Sequence, residues 1–136
     1  MDSKWEPGFA GKSAREIQRR FFLDRLVRRG RHPGRYRYRR SGLDALPGTI
    51  VLFQFAGQII ATAILDWLER FDKKGPYGGA LYFDPASIKV FDPVGPDVVR
   101  AVWPKVTRFG QAKWALDPLS YPEFERQLTG IETPKL

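Results

Sequence analysis

The chain contains no cysteine, which removes disulfide frameworks, thiol nucleophiles and thiolate metal sites. Its one histidine, His32, excludes a His-pair zinc site and a histidine proton relay within one chain. The segment Met1 to Phe9 lacks the apolar core and small-residue cleavage pattern of a signal peptide, so a cytoplasmic location is expected. Charge is missing from Ala45 to Leu65, long enough to weigh as a membrane span. That reading fails because Pro47, Gly48, Gln54, Gly57 and Gln58 interrupt the run and its β-branched residues cluster on either side of Gly57, as in a hairpin. No membrane partner is expected. Gly75-Pro76-Tyr77-Gly78-Gly79 lacks the spacing and the Lys-Ser/Thr pair of a nucleotide-binding loop, and no cofactor is implied.

Among what is present, arginine stands out. Eleven arginines and no lysine lie from Arg15 to Arg40, whereas residues 71–136 hold six lysines and three arginines. Residues 1–42 carry 13 basic and 4 acidic side chains, or +9; residues 43–136 carry 10 and 11, or −1. All of the net charge of +8 is therefore N-terminal. A planar guanidinium forks onto phosphate and stacks on bases, which an ammonium does less well. The polarity points to a polyanionic partner, nucleic acid before acidic membrane; the alternative is a merely solubilising segment.

The 136 residues, 43% hydrophobic and 28% charged, with 10 Phe, 5 Tyr and 4 Trp, suit one globular domain over residues 1–136. Ser13-Ala14-Arg15-Glu16 reads as a capping box opening a basic helix over 13–30, with Ile17, Phe21, Phe22, Leu23 and Leu26 as its apolar stripe and Gly30 as its stop. Arg35 to Arg39 alternates with period two, predicting a strand with Tyr36 and Tyr38 on one face and arginines on the other. Thr49–Phe55 and Gln58–Asp66 predict strands covered on both faces, joined at Gly57 by a type I turn with a bulge, because Ala56 tolerates positive φ poorly. Residues 73–79 form the clearest loop. Short strands are expected at Ala80–Phe83 and Ile88–Phe91, a helix at Asp97–Trp103, a last strand at 109–116, and a helix from a second capping box, Ser120 to Glu123, through Leu128 to Gly130. The three acid-proline pairs, Asp84-Pro85, Asp92-Pro93 and Asp117-Pro118, read as turn formers at strand ends.

The expected phosphate-contacting residues are Arg28, Arg29, Arg31, His32, Arg35, Arg37, Arg39 and Arg40. Tyr36, Tyr38, Trp67, Lys73 and Tyr77 are candidates for receiving a base, since Trp67 and Tyr77 flank the glycine-rich loop; for the two tyrosines an inward, core-facing role is the commoner case. Asp72-Lys73-Lys74, with Asp66 and Glu69 nearby, is a fragment of metal-dependent nuclease patterns, but the matching upstream Pro-Asp is missing. No catalytic residue and no metal ligand is assigned.

In Gly34-Arg35-Tyr36-Arg37-Tyr38-Arg39-Arg40, Pro47-Gly48-Thr49-Ile50-Val51-Leu52-Phe53-Gln54-Phe55 and Gln58-Ile59-Ile60-Ala61-Thr62-Ala63, the chain resembles the PUA-like superfamily, nearest its EVE and ASCH branches. The likeness spans residues 34–128. It implies an α+β fold: a small, partly open mixed β-barrel flanked by the N-terminal basic helix and short C-terminal helices. It also implies binding of RNA, or of modified bases in DNA or RNA, through a pocket at one end of the barrel. Thr49 stands where members of these branches often carry an acid. The expected function is thus non-enzymatic nucleic-acid binding; a metal-dependent nucleic-acid enzyme and a basic subunit docking an acidic protein are the other readings.

Overall fold

The computed structural model describes residues 11–28, 35–38 (backbone), 46–71, 79–106 and 117–135. It begins with the expected capping box: Ser13 Oγ accepts from Glu16 N at 3.2 Å, and Glu16 Oε1 accepts from Ser13 N at 3.4 Å. The helix then runs as α1 (Ala14–Ile17), a π-helical stretch (Gln18–Arg25) and α2 (Leu26–Arg28). The sequence pattern explains the wide winding. At 3.6 residues per turn, the buried residues Ile17, Gln18, Phe21, Phe22 and Leu26 would spread over about 180° of the circumference. At roughly 4.4 residues per turn through the π stretch they fall within about 115°, one face for one sheet.

Among the described residues, five strands follow: β1 (Arg35–Tyr38), β2 (Ile50–Phe55), β3 (Gln58–Arg70), β4 (Gly79–Phe83) and β5 (Lys89–Val94). The order is β1-β4-β3-β2, with β5 also on β3. All pairings between these strands are antiparallel, where a mixed barrel was expected, and among the described residues the sheet is open, with β1 and β2 at its ends. β4 and β5 return along one edge of β3, interrupted by the 3₁₀ turn Pro85–Ser87. At that interruption Ile64 O accepts from Asp84 N at 3.0 Å, while Ile64 N donates to Ser87 Oγ at 2.7 Å. A side-chain hydroxyl thus replaces the missing strand carbonyl.

The 45–65 stretch contains the β2–β3 hairpin, and no helix among the described residues is long and apolar enough to cross a membrane. The hairpin turn corrects the expectation of a type I turn with a bulge. Phe55 pairs with Gln58, and both Ala56 (φ 51°) and Gly57 (φ 75°) are left-handed, the primed geometry whose twist matches the flanking strands. Sheet twist outweighs the local cost to alanine, roughly 1–2 kcal/mol.

Helices cover both faces of the sheet. On one face Ile17, Phe21, Phe22 and Leu26 pack with Phe53, Ala61, Ala63, Leu65, Leu81 and Phe83. On the other, Phe91 and Ile59 pack with Val99 of α3 (Pro96–Val102), Phe124 of α4 (Tyr121–Arg126), Trp103, Val106 and Leu128. Each such large side chain contributes about 1.5–3 kcal/mol by leaving water.

Between these cores lies a break in register. Phe53 pairs with Ala61 and Gln54 with Ile59 on one side of β3, while Val90 pairs with Ala61 and Val94 with Ile59 on the other. Ile60 is therefore out of register in both ladders, and the bulge lets Ile60 and Ala61, consecutive residues, join the same core. Pro93, which has no N–H for the ladder, stands in the skipped part of β5. The amide of Gln18, only 1% exposed, closes the gap: its Nε2 donates to Ile60 O at 2.9 Å and to Phe91 O at 2.6 Å.

Two of the three acid-proline pairs behave as expected. Asp84 and Asp117 cap the 3₁₀ turns that follow them, accepting from Ala86 N and Leu119 N at 3.0 Å. Asp92-Pro93 instead lies inside β5. Asp92 Oδ2 accepts from Thr129 Oγ1 at 2.8 Å and its N–H donates to Thr129 O at 2.9 Å, drawing the C-terminal tail along the strand. A Cβ at Gly130 (φ +64°) would lie 2.6 Å from Asp92 Oδ1. The second capping box does not form. Ser120 ends the preceding 3₁₀ turn with helical dihedrals (φ −88°, ψ −6°) and caps nothing with its side chain, because a capping hydroxyl needs an extended backbone.

Candidate nucleic-acid interface

The π winding that gathers the apolar residues also gathers the charge. Arg15, Arg19, Arg20, Arg25 and Arg28 are all exposed, and by the same helical geometry they fall within about 150° of the side facing away from the sheet. Two have acidic partners. Arg15 pairs with Glu132, and Arg28 Nε lies 2.8 Å from Asp24 Oδ1. Among the described residues, no acidic partner is seen for Arg19, Arg20 or Arg25, so their guanidinium groups face solvent. These pairs lie at the surface and contribute at most about 1 kcal/mol each, an amount an incoming phosphate can replace.

Of the residues expected to contact phosphate, Arg28 is on this helix, and Arg35 and Arg37 lie in β1. Arg29, Arg31, His32, Arg39 and Arg40 lie outside the described residues. Among the base-contact candidates, Lys73 and Tyr77 also lie outside them, as do the 109–116 segment and the Asp72-Lys73-Lys74 fragment.

Register divides what remains, because antiparallel partners share a sheet face. Arg35 is opposite Tyr82 and Arg37 opposite Ala80, while Tyr36 is opposite Leu81, a residue of the helix-covered core. Positions 36 and 38 therefore fall on the face covered by the N-terminal helix. Trp67, opposite Tyr82 in the neighbouring ladder, is on the other. Trp67 is thus on the opposite face from positions 36 and 38 and from the helix arginines; the structure brings it to Tyr82, which sequence reasoning missed. Their rings stack face to face, centroids 3.9 Å apart and 2° from parallel. Tyr82 is buried beneath while Trp67 is 46% exposed. The Tyr82 hydroxyl donates to Glu69 Oε1 at 2.9 Å, fixing the lower ring in its plane. A row of positions 35, 82 and 67 thus crosses β1, β4 and β3, and the only sequence signal for it was the period-two spacing of Phe83 and Leu81 around Tyr82.

Asp66 and Arg70 are exposed on the same strand. No group of three or more His, Cys, Asp or Glu among the described residues could hold a metal ion. No family model, curated protein or solved structure matches the chain.

Proposed function

We propose that this protein binds nucleic acid without catalysing a reaction on it, holding the phosphate backbone with its N-terminal arginines. The observation that carries this reading is the outward row of five helix arginines, three without a described acidic partner, in a chain whose residues 1–42 sum to +9 while residues 43–136 sum to −1. Phosphate contacts of this kind supply affinity without reading sequence. The partly open, PUA-like barrel inferred from the strand sequences belongs to the same proposal. It is supported by the two register breaks in β3, which bend and twist a strand in the manner a curled sheet needs.

If about four phosphates are neutralised, log K falls with log salt at a slope of roughly −3.6 on duplex. The triple charge reversal Arg19→Glu, Arg20→Glu, Arg25→Glu, made on exposed positions, lowers affinity by more than about tenfold near physiological salt and flattens that slope. Fluorescence anisotropy across a salt series measures both. Unchanged affinity in the reversed protein overturns the proposal.

A further inference from the structure

The proposed function does not by itself say whether the ligand is duplex or single-stranded. The chain's most exposed described tryptophan bears on that. An indole needed only as a lid on Tyr82 could bury its outer face under a neighbouring element, as Trp103 does beside Phe124, where it is 6% exposed and its Nε1–H donates to Asp117 O at 3.0 Å. Trp67 instead keeps its outer face in water while its inner face lies flat on a ring that burial and the Glu69 carboxylate hold in place. A flat, rigid aromatic surface on an open sheet has the geometry that receives an unpaired base, whose π face is about the same size. The adjoining edge strand carries Arg35 and Arg37 at register positions on that same face, so cationic positions for the flanking phosphates adjoin the platform. A duplex hides its base faces within the stack and cannot use it.

We propose that the Trp67–Tyr82 stack is a platform for one unpaired base, so that the protein prefers single-stranded over double-stranded nucleic acid. This rests on the nucleic-acid-binding reading above. The affected term is stacking, worth about 5- to 150-fold in affinity per base.

The test compares wild type, Trp67→Leu and Trp67→Phe on three probes of equal phosphate number: a mixed-sequence single strand, the same strand with abasic sites, and a duplex, in RNA and DNA forms. Leucine keeps an apolar cover over Tyr82 and removes the aromatic face; phenylalanine restores a face. Circular dichroism and thermal melting establish that each variant is folded. The platform predicts that Trp67→Leu weakens single-strand binding about tenfold, leaves the duplex and abasic probes unchanged, and is largely rescued by phenylalanine. Equal affinity of wild type for single strand and abasic strand, or equal loss on single strand and duplex in Trp67→Leu, overturns the platform while leaving phosphate binding intact. Failure of wild type to bind any probe at low salt overturns both proposals.

Discussion

Gln18 is the residue on which the fold's irregular centre depends, and its replacement gives a sharp test. Its amide nitrogen serves two buried carbonyls, those of Ile60 and Phe91, at the point where β3 and β5 lose register. Gln18→Leu keeps nearly the same volume, so the loss is polar rather than a cavity. An orphaned buried carbonyl costs about 1–3 kcal/mol, and a second lone pair relieves part of that, so the pair together costs about 2–4 kcal/mol. Unfolding entropy of about 2.1 cal/mol/K per residue converts a loss of about 3 kcal/mol into a fall in Tm of roughly 10 °C for a chain of this length. Gln18→Glu, which swaps the donor for an acceptor charge facing two carbonyl dipoles, costs more than leucine at neutral pH. Urea titrations of the three proteins measure the midpoints, with an unchanged slope marking an intact two-state transition. A Gln18→Leu protein within about 0.5 kcal/mol of wild type refutes the argument that this amide replaces the broken ladder.

Two further outcomes follow from local geometry. Ala56→Asn, which suits the left-handed first position of the primed Ala56-Gly57 turn, raises stability by about 1 kcal/mol and Tm by a few degrees, read by calorimetry; a lower Tm refutes the turn assignment. Burial raises the pKa of the Tyr121 hydroxyl above 10.0, opposed by its hydrogen bond with Thr62 and reinforced by the Glu125 charge. A raised tyrosine pKa means the native state holds its proton longer than the unfolded chain, so the stability involved is complete below pH 10.0 and is lost as pH rises through the native value. Wild type therefore loses stability over that alkaline window more steeply than Tyr121→Phe in urea titrations at stepped pH; parallel curves refute the assignment.

Much of the architecture was legible from residue order. The Ser13–Glu16 box, the alternation of β1, the apolar runs of β2 and β3 and the Pro96-initiated α3 all rest on neighbours within a few positions, where backbone chemistry and periodicity act. Other features were not, because their causes lie in distant residues. A primed turn at Ala56 is set by the twist of two strands, and the Asp92-Pro93 position inside β5 by the Thr129 tail that pairs beside it. Gln18, one polar residue in a basic amphipathic stretch, gives no local sign that it will be buried against carbonyls 42 and 73 positions away.

The interface divides in the same way. Its charge is a property of the chain itself: arginines concentrated before residue 41 repel one another and attract polyanions in whatever conformation they sit. Tertiary structure decided where they point and what accompanies them. The π winding turned Arg15, Arg19, Arg20, Arg25 and Arg28 to the solvent side because the opposite residues had a sheet to cover. Strand register, which sets both partners and faces, placed Tyr82 beneath Trp67 and positions 36 and 38 of β1 on the opposite face. Charge is additive and readable residue by residue; a stacked ring pair exists only when two strands meet in one register, and that is a property of the folded sheet alone.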